Sequence, residues 1–322
     1  MPDAIPTDLK QIADLAAYGI GRAVIAIGVF DGVHRGHRKL LTELLTVSAE
    51  LDCTPVVMTF FPHPRSLLTE CPPELLYSPD EKIRLLREQG VKAVVTVPFT
   101  REFAALPPGD FLAQSVFDGQ VDVRGICVGR HWRFGAKAAG NAEFLADLAV
   151  RKKFRFSAVD ELCLSDGQVV SSSAIREAIR HGDLPRAEQM LGRRYSLSGK
   201  VSHGYRQAGK RLDTPTANLE IEFGVLPPYG VYAGRAQLPD GRRFPAAVNI
   251  GVSPTFREQY GEIGPRVEVH LLEGFDEDIY GREIRLELAG SVRPERTFPD
   301  AAALKRQISD DIIRIKEILE RS

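Results

Sequence analysis

The sequence predicts an α/β protein in which a doubly wound parallel sheet is followed by a small antiparallel β-barrel with a C-terminal helix. Three observations carry this. Continuous apolar runs alternate with helical patterns from Arg22 to about Ala158, the runs beyond Leu191-Gly192 become short and alternating, and the chain closes on a helical repeat. In the first region Val24–Ile27, Pro55–Phe60, Ala93–Val97 and Gly125–Val128 read as strands buried on both faces. Helices lie between them. Leu40, Leu41, Leu44, Leu45 and Val47 form an apolar stripe, and Ser78-Pro79-Asp80-Glu81 combines an N-cap, a first-turn proline and a capping-box Glu ahead of a stop at Gly90. Strand-helix-strand order puts ligands beyond the carboxyl ends of the strands.

In the second region Tyr229–Ala233, Ala246–Ile250 and Arg266–Leu271 read as strands, with Pro239-Asp240-Gly241 as a hairpin turn. The last helix carries Leu304, Ile308, Ile312, Ile315 and Leu319 on one face, opposite Lys305, Arg306, Asp310, Asp311 and Lys316. Ser171 to Gly192 reads as structured helices joining two domains, 1–190 and 191–322.

Composition narrows the class. The 322 residues are 43% hydrophobic and 26% charged with a formal net charge of -1, so nothing favours nucleic acid or an anionic membrane as partner, and any polyanion must be met by local positive groups. Cys53, Cys71, Cys127 and Cys163 are scattered without a Cys-x-x-Cys, which fits reduced thiols in a cytoplasmic protein rather than disulfides or a zinc ribbon. The first twenty residues lack a continuous apolar stretch, so neither a signal peptide nor a membrane span is expected.

Two segments carry phosphate chemistry. Gly28-Val29-Phe30-Asp31-Gly32-Val33-His34-Arg35-Gly36-His37 follows an apolar strand: its glycines let backbone approach phosphate, and the next helix presents free N–H groups and a positive dipole end. His34 and His37, three apart, share a face of the first turn and can donate to phosphoryl oxygens as charge builds at the α-phosphorus. The competing readings are surface histidines or a zinc site, the latter lacking a third ligand at suitable spacing. In the second region Gly204 to Lys210 mimics the glycine-rich part of a Walker A loop, but Arg211 stands where Ser or Thr would hold magnesium.

The first segment resembles the His-x-Gly-His motif of the nucleotidylyltransferase superfamily, and at greater length the FMN adenylyltransferase half of the bifunctional riboflavin kinase/FAD synthetase family. Thr59-Phe60-Phe61-Pro62-His63-Pro64 is similar to that family's second segment, Val128 to Gly135 to its flavin-side loop, and Val170-Ser171-Ser172-Ser173-Ala174-Ile175-Arg176 to its Ser-rich triphosphate loop. The resemblance implies ATP binding by Gly28, Phe30, Gly36, Ser172, Ser173 and Arg176, and flavin binding by Phe60, Pro62, His63 and Phe134. The chain departs from the family pattern at Phe61, His131, Ala138 and Ala174, with Lys137, Arg130 and Arg133 as candidate replacements for lost charge.

Gly199 to Leu219, with Pro215-Thr216-Ala217-Asn218, resembles riboflavin kinase. The resemblance implies a Gly-rich flap over ATP that includes Gly199 and Gly204, Thr216 and Asn218 as oxygen ligands of Mg²⁺ and the phosphates, Glu268 as catalytic base, and Arg293 and Phe298 closing on the isoalloxazine. A solvent-facing strand Glu is the common alternative for Glu268. Leu212-Asp213-Thr214-Pro215 replaces the family's frequent Leu-Gly-aromatic-Pro. The expected activity takes riboflavin and ATP to FMN, then FMN and ATP to FAD. The alternatives are a riboflavin kinase with a weak or inactive adenylyltransferase domain, and a non-catalytic flavin-binding regulator.

Overall fold

The computed structural model describes residues 8–202, 217–251, 265–272, 277 and 279–321. The chain divides into two compact units, residues 1–73 with 79–171 and residues 74–78 with 172–322. No helix among the described residues is long and apolar enough to cross a membrane.

The first unit runs β1 (Arg22–Ile27), α1 (Arg35–Glu50), β2 (Thr54–Phe61), α2 (Pro64–Leu68), α3 (Pro79–Glu88), β3 (Ala93–Pro98), α4 (Arg101–Ala104), α5 (Pro108–Ser115), β4 (Asp122–Gly129), α6 (Ala142–Lys152) and β5 (Arg155–Val159). The strands form a parallel sheet in the order β3-β2-β1-β4-β5, so the winding reverses at β1. That reversal opens a crevice beyond the carboxyl end of β1, where the His-x-Gly-His loop begins. Ala23 to Ile27 are all buried, as expected of a central strand covered on both faces. Edge strand β5 has no fully buried residue.

The second unit contains α7 (Ser172–Arg180), α8 (Leu184–Leu191), β6 (Ser196–Ser202), β7 (Ala217–Glu220), β8 (Gly230–Gln237), β9 (Arg243–Gly251), β10 (Arg266–Leu271), β11 (Glu283–Pro294) and α9 (Ala301–Glu320). The strands close into an antiparallel barrel in the order β10-β7-β6-β11-β8-β9. Alternation fills its interior with Val201, Leu219, Val248, Ile250, Val267, Val269 and Leu286, all buried. On the outside, Val231, Ala233 and Val292 pack with Ile315 and Leu319 of α9.

Helix α9 corrects one expectation. Asp311, assigned by sequence to the polar face, is buried, because it lies four residues before Ile315 and eight before Leu319 on the stripe that meets the barrel. The burial is tolerated because Arg293 Nε donates to both Asp311 oxygens at 3.1 and 2.9 Å and Gln307 Nε2 donates to Oδ1 at 2.8 Å.

Residues 74–78 belong to the second unit for equally specific reasons. Arg176 Nε donates to the Glu74 carbonyl at 2.6 Å, Arg180 pairs with the Glu74 carboxylate, and the Tyr77 ring lies 5.9 Å from the ring of buried Tyr195 with the Arg193 guanidinium 5.0 Å above it.

Candidate functional site

The loop after β1 is bent backbone held in place. Phe30 and Val33 adopt φ of 55° and 38°, and Gly32 adopts 85°. For a β-branched valine this is a true outlier, the kind of strain that persists only where the surroundings over-determine it. Gly28 is required nearby, since a Cβ there would meet the Phe30 ring at 3.1 Å. The Phe30 ring itself is fully buried, so any contact it makes with a nucleotide is through backbone.

His34 is the N-cap of α1, its Nδ1 accepting from the His37 N–H at 3.3 Å. In the neutral ring the proton therefore sits on Nε2, which makes that atom a donor. The rings of His34 and His37 stack with centroids 3.6 Å apart and planes 17° apart. Gly36 permits this, because a Cβ there would lie 3.2 Å from the His34 ring and 3.4 Å from the Val170 carbonyl. Two imidazoles and the first N–H groups of a 16-residue helix thus gather at one point, an arrangement that binds and stabilises phosphate charge. Among the described residues no cluster of three or more His, Cys, Asp or Glu side chains is placed to hold a metal, so the zinc reading gains no ligands.

Beneath the loop lies a buried lysine. Lys82 of α3 is 8% exposed, and its Nζ donates to Thr59 Oγ1 at 3.0 Å and to the Val29 carbonyl at 3.4 Å. Thr59 Oγ1 in turn donates to the same carbonyl at 2.9 Å. Burial pushes the Lys82 ammonium down to about 8, against the raising field of buried Asp31.

The flavin-side candidates separate by exposure. Phe60 is buried with its ring 5.9 Å from Phe99 and 6.1 Å from Phe103, whereas Phe61 is 38% exposed. Pro62 is exposed, and His63 caps α2 through Nδ1, which accepts from the Arg65 N–H at 3.1 Å. Phe134 is buried and stacks on Trp132 at 4.6 Å, over Gly140, where a Cβ would come within 2.6 Å of the ring. Just beyond it Lys137 and Ala138 take φ of 53° and 56°. Arg130, a candidate replacement charge, is bound to Asp160, and the Lys39 ammonium donates to the Asp160 carbonyl at 3.0 Å. Ser172 and Ser173 open α7 in the second unit, with Ser173 exposed and Arg176 buried against Glu74.

On the barrel the site is made by strand register. Glu268 of β10 lies directly opposite Asn218 of β7 and, on its other side, Asn249 of β9. Directly paired residues share a face with Cβ atoms ~5 Å apart, so the three side chains form one polar row on the outside of the barrel. Asn218 Oδ1 is buried and has no hydrogen-bond partner among the described residues. An orphaned amide oxygen beside a carboxylate is a hard-oxygen donor set that fits Mg²⁺. No local motif marks Asn249; only strand register brings it into this row.

Gly199, placed in the flap by resemblance, sits within β6, where a Cβ would meet the Glu220 carbonyl at 2.6 Å. Arg293 is committed to Asp311 and lies 5.4 Å from the Phe298 ring centroid, as does Arg296 on the same ring. Gly204 and Thr216 lie outside the described residues.

Residues 20–174 match the FAD synthetase family and residues 191–319 the riboflavin kinase family. The chain is 36% identical to a bifunctional riboflavin kinase/FMN adenylyltransferase of Escherichia coli K12 over 91% of its own length and 92% of the relative's. It is 33% identical to the protein of that name from Bacillus subtilis 168, over 90% of both. A Streptococcus pneumoniae crystal structure titled a macrolide-efflux protein superposes with a TM-score of 0.79 at 26% identity, covering 92% of this chain and 94% of that one. The chain belongs to the bifunctional riboflavin kinase/FMN adenylyltransferase family.

Proposed function

We propose that residues 191–322 carry the kinase and residues 1–190 the adenylyltransferase of a cytoplasmic enzyme, an assignment supported by the positions of the two family matches. The protein phosphorylates riboflavin with ATP to FMN and adenylylates FMN with a second ATP to FAD.

In the first reaction the ribityl 5′-hydroxyl oxygen attacks the γ-phosphorus, its bond to the bridging oxygen of the β-phosphate breaks, and ADP leaves. Glu268 takes the hydroxyl proton. The observation that carries this role is the pairing of Glu268 with Asn218, which brings a base and a free acceptor to one face. Asn218 and Thr216 would hold Mg²⁺, which supplies charge stabilisation on the phosphates. Asn249, on the other flank, is placed to orient the Glu268 carboxylate.

In the second reaction a phosphate oxygen of FMN attacks the α-phosphorus of ATP and pyrophosphate leaves, with no covalent enzyme intermediate. His34, His37 and the α1 N-terminus stabilise the charge that builds on the α-phosphoryl oxygens. Gly28 and Gly36 permit close approach of the nucleotide, the α7 start with Ser172, Ser173 and Arg176 addresses the triphosphate, and Phe60, Pro62, His63 and Phe134 form the flavin side. Arg293 and Phe298 close on the flavin of the kinase site, and the glycine-rich run that starts at Gly199 in β6 and includes Gly204 approaches ATP.

Incubating the protein with riboflavin, Mg²⁺ and ATP and resolving the flavins over time tests the scheme. FMN should appear first and FAD follow. FMN without FAD would favour the kinase-only reading, and neither product would leave a flavin-binding regulator.

A further inference from the structure

We propose that Lys82 is a positioning residue of adenylyl transfer: from beneath the loop its ammonium holds residues 29–31 in the conformation from which His34 enters α1. This rests on the adenylyltransferase reading. A lysine only 8% exposed has lost most of its hydration, and a methionine or leucine of similar reach would sit between the sheet and α3 with no such penalty. A purely architectural demand is therefore met better by an apolar residue. What the ammonium supplies instead is directed donors, and these end at the loop or its support: Val29 carbonyl at 3.4 Å, Thr59 Oγ1 at 3.0 Å.

The loop needs that support. Phe30 and Val33 hold positive φ, and Asp31 between them is buried, so relaxation of the turn would carry His34 away from the α1 N-cap. Thr59 gives the arrangement a second member: it lies within the apolar run of β2, is fully buried, and links the lysine to the same carbonyl. Other charged groups nearby are accounted for. Glu81 takes the Arg84 fork at 2.7 Å through both oxygens, Asp31 faces the ammonium, and His34 and His37 follow on α1.

The test uses the full chain with saturating FMN, ATP and Mg²⁺. Lys82→Met should lower kcat for FAD formation about 10- to 100-fold, the cost of a slight misplacement of reacting groups. Its KM for FMN should stay within about threefold of the unmodified protein, and FMN formation from riboflavin should be unchanged. Thr59→Val, which keeps shape but removes the bridging hydroxyl, should lower the same kcat by a smaller factor. FAD formation by the unmodified protein should decline as pH rises through about 8, where Lys82 loses its proton, and this limb should vanish in Lys82→Met.

Full FAD-forming kcat in Lys82→Met would overturn the proposal. Should that variant lose activity together with a lowered thermal midpoint, Thr59→Val and the alkaline limb decide: normal turnover in the first, or an unchanged limb in the second, overturns it as well. An unmodified protein that makes no FAD from supplied FMN would instead overturn the adenylyltransferase reading, an outcome that no Lys82 variant can mimic.

Discussion

Between β1 and α1 the chain bends through Phe30 and Val33 at positive φ before His34 caps the helix, whereas on β10 and β7 Glu268 and Asn218 meet because two extended strands pair in register. The two centres therefore depend on different things. A strained loop is held by its immediate neighbours and is sensitive to small changes next to it. Strand register is set by the whole barrel, because a slip of one residue would turn Glu268 inward and Val267 or Val269 outward. The proposed kinase centre is thus locally robust and globally coupled, and the proposed adenylyl-transfer centre is the reverse.

Substitutions can break this contrast, and the largest effect is expected at the base. Glu268→Gln should lower FMN formation about 10²- to 10⁴-fold while FAD formation from supplied FMN persists. Ordinary kinase turnover in that variant would remove Glu268 from the role. His34→Ala should cost about 10²- to 10³-fold in FAD formation and leave FMN formation intact; simultaneous loss of both activities would contradict two separate centres. Asp311→Ala leaves the largely covered Arg293 cation without its carboxylate and should destabilise the barrel unit by about 3 kcal/mol in urea titrations followed through kinase activity. A variant that unfolds at the original urea concentration would show that the ion pair contributes little. Asn218→Ala should weaken the apparent Mg²⁺ affinity of the kinase about tenfold, with added Mg²⁺ restoring turnover. The smallest effect belongs to a helix cap: Asn141→Ala, which removes the acceptor for the Phe144 N–H at 2.9 Å, should cost ~1 kcal/mol in thermal or urea unfolding of the first unit.

What the sequence displays and what it hides follow the same division. Buried strands β1 to β4 are continuous apolar runs, so their places are legible from composition alone. Edge strand β5, with Arg155 and Ser157, has no such run, and β6 is interrupted by Ser198, Gly199 and Lys200, which read as loop until Glu220 is found filling the glycine's open side. The long β11 alternates through Ile284, Leu286 and Leu288 but carries register shifts near Gly290 and Val292 that blur the period. Asp311 looked solvated because carboxylates usually are, and only the partner Arg293, 18 residues earlier, explains its burial. Local motifs named His34, His37 and Glu268. Lys82 and Asn249 meet their neighbours across 19 or more residues of chain, in one case through a helix-sheet contact and in the other across a ladder, and no local pattern announces them.

The strip 74–78 has a consequence for how such a protein can be divided. It is synthesised about a hundred residues ahead of α7, yet Arg176, Arg180 and Tyr195 bind it into the second unit. The units are interleaved along the chain, so no single scission yields two self-contained pieces. A fragment beginning at residue 191 would lack α7, α8 and Tyr77, uncovering Tyr195, and separate expression of either activity calls for a cut that respects this threading rather than the linear order of the two family matches.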